Sequence, residues 1–166
     1  NDKGETVRSF TRDHTGYAND FIVWNGLDSA GNPVPDGKYI FKIFDYEFAV
    51  EVDNTLPTVS IGLSGIKYDT KQQRYFVTLT ASATDTRLKK WTIQAGIGEN
   101  PVEWTDVDSG TESIDNYVKQ YIDSPDIGFL KYKRFRIVAE DFAGNRSVAM
   151  SPMVESKVVF AAIQTG

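Results

Sequence analysis

The sequence predicts an all-β protein, and three observations support this fold class. Apolar and polar residues alternate with a period of two in many short runs, as they do in half-buried strands. Clusters rich in Gly, Pro, Asn and Asp separate these runs, and such clusters encode turns. Helical spacing of apolar residues occurs in one segment alone, whereas a parallel α/β fold needs helices between successive strands. The pattern is typical of β-sandwiches.

The first third of the chain contains four predicted strands and one long turn region. The predicted strands are residues 5–10, 21–24, 38–44 and 48–52, of which the last two form a hairpin. Residues 23–39 read V-W-N-G-L-D-S-A-G-N-P-V-P-D-G-K-Y. Glycine supplies positive φ, proline presets φ, and Asn or Asp side chains bond their own backbone, so consecutive turns are expected before the hairpin. We interpret this region as a sandwich corner and not as a catalytic loop.

A linker is predicted at residues 53–58, which read D-N-T-L-P-T. Pro57 lacks a backbone N–H and biases Leu56 toward an extended conformation. The period of two resumes directly after it. The sequence therefore predicts two domains, residues 1–54 and residues 55–166.

The second domain is also predicted to consist of short strands. They are residues 59–63, 75–81, 91–95, 102–107, 129–140, 146–153 and 158–163. Residues 108–112 are expected to form a turn, and residues 158–163 are expected to cover an exposed sheet edge. The segment Ile114–Ile122 leaves a short helix and a strand as open alternatives, because its apolar residues follow the spacing i, i+3, i+4, i+7, i+8.

Composition excludes several classes of function. The chain has 166 residues, a net charge of −5 at pH 7 and no cysteine. Disulfides, thiol nucleophiles and cysteine-ligated zinc or iron–sulfur sites are thereby excluded. The acidic balance argues against a nucleic-acid partner, which would require a basic surface. No apolar run approaches 18 residues, so direct membrane insertion is not expected.

Three motifs resemble those of bacterial Ig-like domains. Residues 23–39 are similar to the motif W-(D/N)-G-x-D-x-x-G-x-x-V-P-x-G-x-Y of Ig-like repeats related to the one in the flagellar hook-capping protein, and Asp2, Gly4, Val7 and Arg8 also fit that repeat. Residues 52–58, V-D-N-T-L-P-T, resemble the linker V-D-N-T-A-P-T of bacterial Ig-like domains. Residues 139–147, A-E-D-F-A-G-N-R-S, resemble their closing motif A-x-D-x-A-G-N-x-S.

The resemblance implies two Ig-like sandwich units in tandem. The first unit would lack the strand that precedes Asp2 in the family, and its hairpin at residues 45–50 would be built differently. The implied function is a non-catalytic structural spacer or interaction module of a larger exported or cell-envelope bacterial protein. Its partners would be neighbouring domains of the same polypeptide. The alternatives are a module that binds a glycan or a protein, and an accessory domain of a secreted hydrolase.

Carboxylates in the turns make calcium the one metal to consider. The closest local match is the segment of Asp106, Asp108 and Glu112, which reads D-V-D-S-G-T-E. A complete D-x-[DN]-x-[DN]-G loop is missing, and turn aspartates commonly bond their own backbone. No metal or other cofactor is therefore expected, and calcium at these three residues remains the alternative.

Trp104 is the candidate ligand-binding residue, because an acidic turn follows it and an exposed aromatic face can stack on a sugar. Trp24 and Trp91 fall on inward phases of their strands, so we expect them in the core. Lys131, Lys133, Arg134 and Arg136 resemble a basic patch, but alternation is expected to place Arg134 and Arg136 on a solvated sheet face and Phe135 on the opposite face. His14 is the single histidine, it lies in a polar loop, and no catalytic residue is predicted.

Overall fold

The computed structural model describes residues 1–10, 23–124 and 128–155. These residues contain nine strands, all paired antiparallel, and no helix, which confirms the all-β prediction. The chain divides into two compact units, Asn1–Thr55 and Leu56–Gly166. Within the described ranges, no helix is long and apolar enough to cross a lipid bilayer.

The first unit is built on a hairpin of β1 (Gly37–Ile43) and β2 (Tyr46–Val52). Cross-strand partners share a face, because side chains alternate along each strand. The apolar face of the hairpin carries Tyr39, Phe41, Ile43, Tyr46, Phe48 and Val50. Trp24 packs edge-on against the buried Tyr39, with 5.2 Å between the ring centroids. The same face stays partly open, since Phe48 is 54% exposed.

The remainder of the first unit differs from the prediction. Residues 5–10 form no strand, and neither do residues 23–24, the described part of the predicted strand 21–24. Local hydrogen bonds take the place of strand pairing in the turn region. The Asp28 carboxylate accepts from the backbone N–H groups of Ala30 and Asn32, at 2.9 and 2.8 Å. Such an Asx turn satisfies the backbone without a neighbouring strand, so the prediction of local turns here is confirmed.

The second unit contains two antiparallel sheets among its described residues. The three-stranded sheet has the order β3-β4-β7, with β3 at Thr58–Asp69, β4 at Arg74–Thr84 and β7 at Ile114–Ile122. The four-stranded sheet has the order β6-β5-β8-β9, with β6 at Thr105–Gly110, β5 at Leu88–Ile97, β8 at Lys133–Asp141 and β9 at Arg146–Met153.

The two sheets of the second unit face each other across one apolar core. Their inward side chains include Val77, Leu79, Ala81 and Ala83 of β4, Trp91, Ile93 and Ala95 of β5, and Phe135, Ile137 and Ala139 of β8. Two antiparallel sheets packed in this way form a β-sandwich arrangement. Fully burying a side chain such as Leu79, Ile93 or Phe135 contributes about 1.5–3 kcal/mol. The period-two pattern predicted for these strands is confirmed by their burial.

The segment Ile114–Ile122 forms strand β7, so the strand prediction is confirmed and the helix prediction is wrong. Pairing with β4 places Tyr117 and Tyr121 on the inner face, whereas Val118 lies on the outer face and is 66% exposed. The apparent helical spacing arises because Val118 and Ile122 are apolar although they face outward. Their β-branched side chains suit a pleated strand.

The bounds of β6 and β8 also differ from the prediction. Strand β6 begins at Thr105 and includes residues 108–110, which were expected in a turn. Strand β8 begins at Lys133, because Tyr132 has a φ of 65° and the Lys133 N–H donates to the Leu130 carbonyl at 2.8 Å, which closes a turn there. The predicted strand at residues 158–163 lies outside the described residues.

Gly110→Ala should destabilise the second unit. A Cβ at residue 110 would lie 2.6 Å from Cζ2 of Trp91, whose indole N–H donates to the Glu112 carbonyl at 2.9 Å. The ring would have to leave its place in the core, and overpacking of this kind costs about 1–3 kcal/mol. Urea denaturation measures the free energy of unfolding, with Ser109→Ala on the same strand as the control. A Gly110→Ala chain as stable as the wild type would contradict the prediction.

Phe44→Gly should stabilise the hairpin of the first unit. Phe44 is the first residue of the two-residue turn between β1 and β2, where it has a φ of 54° and is 95% exposed. Glycine removes the steric cost of a left-handed backbone, for a net gain of roughly 0.5–1 kcal/mol. The melting temperature should rise, whereas Asp45→Gly, at the neighbouring turn position without a positive φ, should lower it. A lower melting temperature for Phe44→Gly would refute this account.

Candidate functional site

The outward face of the four-stranded sheet carries a row of polar side chains that the strand register aligns. Gln94 on β5 is the cross-strand partner of Asp106 on β6 and of Arg136 on β8. Its amide joins the two: Nε2 donates to Asp106 Oδ1 at 2.6 Å, and Oε1 accepts from Arg136 Nε at 2.6 Å. The bond to Asp106 requires the amide nitrogen of Gln94 to face β6, so its oxygen faces β8. That oxygen accepts from Arg136 and thereby orients the guanidinium.

Trp104 lies just before β6 and packs against this row. Arg136 Cζ is 4.2 Å from the centroid of the Trp104 ring, which is a cation–π contact, and the tryptophan is partly exposed. Trp91, by contrast, is 6% exposed, so its predicted core position is confirmed. Trp24 is half-buried, and its indole N–H donates to the Leu27 carbonyl at 2.8 Å. Trp104 is thus the tryptophan that the second unit presents at its surface.

The same outward face is rich in positive charge, although the whole chain is acidic. Five cationic side chains lie on it or reach it: Lys89, Lys90, Arg134, Arg136 and Arg146. Its described strands present two carboxylates there, those of Asp106 and Glu140, and Glu140 already pairs with Lys89 at 2.7 Å. Burial and the neighbouring charge of Arg146 lower the pKa of Arg136, whereas Asp106 acts in the opposite direction.

A second polar cluster connects the two sheets. The Asp108 carboxylate on β6 accepts from the Tyr117 hydroxyl at 2.6 Å and from Lys119 Nζ at 2.8 Å, both on β7. Burial acts to raise the pKa of Asp108, but the hydrogen bonds from Lys119 and Tyr117 outweigh it and hold the pKa below its ordinary value. Burial and the bond to Asp108 raise the pKa of Tyr117, so its hydroxyl remains a donor. The cluster is an inter-sheet brace.

The three residues named for calcium have separate environments. Asp106 bonds Gln94 on the outward face, Asp108 bonds β7, and Glu112 is exposed beyond the end of β6. A register shift opposite Ile93 and Gln94 separates the two aspartates, because it inserts one extra residue between their pairing positions. Within the described residues, these carboxylates do not come together as the ligands of one ion would.

Two other carboxylates of the second unit, those of Asp85 and Asp141, lie within 4.8 Å of each other. Asp141 is fully buried, and its carboxylate accepts from the backbone N–H and the side-chain amide of Asn145, both at 2.8 Å. Asp85 accepts from the Arg87 N–H at 2.6 Å. Gly144, with a φ of 93°, completes the Asp141 turn. These bonds give the D-x-A-G-N motif a structural role, the closure of the turn between β8 and β9.

Sequence reasoning named part of the outward row and missed the rest. The sequence pattern indicates Trp104 as a ligand-binding candidate and Asp106 as a calcium candidate, and it predicts a solvated sheet face for Arg136. Gln94 and Arg146 were missed, because they come from other strands and only the register brings them to the same surface. His14 lies outside the described residues.

No protein-family model matches the chain, and comparison with curated proteins finds no match to it. The resemblance to bacterial Ig-like domains therefore remains an expectation that rests on the motifs at residues 23–39, 52–58 and 139–147.

Asp108→Asn should reduce the sensitivity of the fold to acid. The pKa of Asp108 is lowered from 3.8 in the native state, so its carboxylate contributes stability above about that pH, and the contribution is lost as the pH falls through the native-state pKa. Urea denaturation from neutral pH to about pH 2 should therefore show a shallower acid loss in the variant. Asp115→Asn, at an exposed position of β7, is the control. Equal acid losses in all three proteins would rule out this role for Asp108.

Proposed function

We propose that the chain is a non-catalytic structural spacer or interaction module of a larger exported or cell-envelope bacterial protein, built from two Ig-like sandwich units in tandem. The motif resemblance supports the family and the location. The division of the chain between Thr55 and Leu56, together with the two facing sheets of the second unit, supports the architecture.

The observation that carries the proposal is the way the first unit holds the start of the linker. The Asp36 carboxylate accepts from the Asn54 N–H at 2.6 Å and from the Thr55 hydroxyl. The Asn54 side-chain amide donates to the Val34 carbonyl at 3.0 Å. These bonds connect the V-P-D-G motif with the D-N-T motif, so the linker belongs to the folded first unit as far as Thr55.

Little chain remains free beyond that point. Leu56 is 58% exposed, Pro57 is buried, and β3 begins at Thr58. A short linker that contains proline is stiff, because the ring fixes φ and restricts the preceding residue as well. The proposed mechanism is mechanical: each unit is stabilised by its own contacts, and the stiff joint holds a neighbouring domain at a distance from the cell envelope.

Hydrogen bonds give several carboxylates a structural role. Hydrogen bonds lower the pKa of Asp28, of Asp36 and, through Lys89, of Glu140. These three groups therefore act as acceptors that hold turns and ion pairs.

Binding of a glycan or a protein is the second candidate function, because Trp104 and Arg136 form a partly exposed aromatic and cationic pair on the outward face. An accessory role beside a hydrolase would place the catalytic residues in another domain of the parent protein.

The spacer role predicts that Asp36→Ala loosens the joint. NMR relaxation of backbone amides should give one common rotational correlation time for both units of the wild-type chain. In Asp36→Ala, which removes the acceptor for Asn54 and Thr55, each unit should tumble with its own shorter time. Asp45→Ala, which removes an acid from the hairpin turn, is the matched control. Independent tumbling in the wild-type chain would refute the spacer role.

A further inference from the structure

Arg136 is a positioned cation, and the opposite charge of Asp106 acts on it electrostatically without forming an ion pair. Among the described residues, its guanidinium forms no ion pair, and its one hydrogen bond is donated by Nε to Gln94. Both terminal nitrogens therefore keep their N–H groups available. Its neighbour Arg134 differs, because that side chain donates to the carbonyls of Ser151 and Glu99 and is occupied by the fold.

The free end of Arg136 is held in a defined orientation. Gln94 accepts a hydrogen bond from Nε at 2.6 Å, and the centroid of the Trp104 ring lies 4.2 Å from Cζ. A planar guanidinium fork matches a carboxylate through two parallel hydrogen bonds, and a fork that is already oriented loses less entropy on binding. Arg146 adds a second positive charge, which favours an anion over a neutral group.

The surroundings of Arg136 limit the class of ligand whose anionic group could bind to it. Strands β5 and β8 are each paired on both sides, so a peptide cannot bind there by adding a strand. The overall charge of −5 disfavours a nucleic acid. The Trp104 ring lies against the fork, Met150 is the cross-strand partner of Arg136, and Val148 lies two residues along β9 on the same face; Val148 and Met150 are each 48% exposed. Apolar and aromatic surface next to polar groups suits the C–H face of a sugar ring.

We propose that this outward face binds an acidic polysaccharide, with Arg136 pairing with a uronate carboxylate and Trp104, Val148 and Met150 contacting the sugar rings. Asp106 accepts from Gln94 through Oδ1, which leaves Oδ2 to accept from a sugar hydroxyl. The site lies wholly in the second unit and does not depend on the spacer role.

Isothermal titration with polygalacturonate tests the site in the full chain. The wild type should bind, whereas Arg136→Gln, which removes the charge, and Trp104→Ala, which removes the ring packed against it, should each weaken binding on the order of tenfold, or about 1.4 kcal/mol. Lys71→Gln, which removes an exposed cation from a turn outside this face, should bind as the wild type does. Circular dichroism melting of every variant separates loss of binding from loss of folding.

Two further ligands decide the chemical class. Dextran, a neutral polysaccharide, should not bind, and poly-glutamate should bind much more weakly than polygalacturonate. Equal affinity for poly-glutamate would assign the face to acidic polypeptides and overturn the proposal. It would equally be overturned if polygalacturonate failed to bind, or if Lys71→Gln weakened binding as much as Arg136→Gln. None of these outcomes bears on the correlation times that test the spacer role.

Discussion

Strand β5 is hydrogen-bonded along both edges, to β6 and to β8, and this constraint determines both faces of the second unit at once. Alternate side chains point to opposite faces, so once Trp91 and Ile93 lie in the core, Gln94 must face outward. The same register sets Gln94 beside Arg136. A slip of one residue would bury the amide and expose Ile93, so the core and the outward polar row cannot vary independently.

The edge at β7 is stabilised in another way. Its inward positions hold Tyr117, Lys119 and Tyr121, whose side chains bury apolar stems and carry polar tips. The Asp108 carboxylate accepts hydrogen bonds from Tyr117 and Lys119. The hydroxyl of Tyr121 lies 3.2 Å from that of Tyr117. A sheet edge of this composition is closed by hydrogen bonds and not by apolar contact alone, which accounts for a charged residue at an inward position.

The sequence was sufficient to predict the strands that bury one face and expose the other. In β4, β5 and β8 the inward residues are apolar and the outward residues mostly polar, so period and burial agree. The sequence pattern did not identify β7 as a strand, because Lys119 faces inward and Val118 faces outward. The predicted strand at residues 5–10 failed because alternation alone cannot supply a pairing partner. Trp104 was correctly separated from the core tryptophan Trp91, but Gln94 could not be predicted, since the polar row depends on three strands meeting in register.

The hydrogen bonds of Asp36 also affect how the chain responds to force. Asp36 stands immediately before β1, and the residues it holds, Asn54 and Thr55, follow β2, so its carboxylate closes the open end of the hairpin beyond the last cross-strand pair, Gly37 with Val52. A force applied through the linker acts on the hydrogen bonds of Asp36 before it acts on the backbone hydrogen bonds between β1 and β2. Opening of the hairpin from this end therefore requires the Asp36 carboxylate to release Asn54 and Thr55 before the first cross-strand pair can separate.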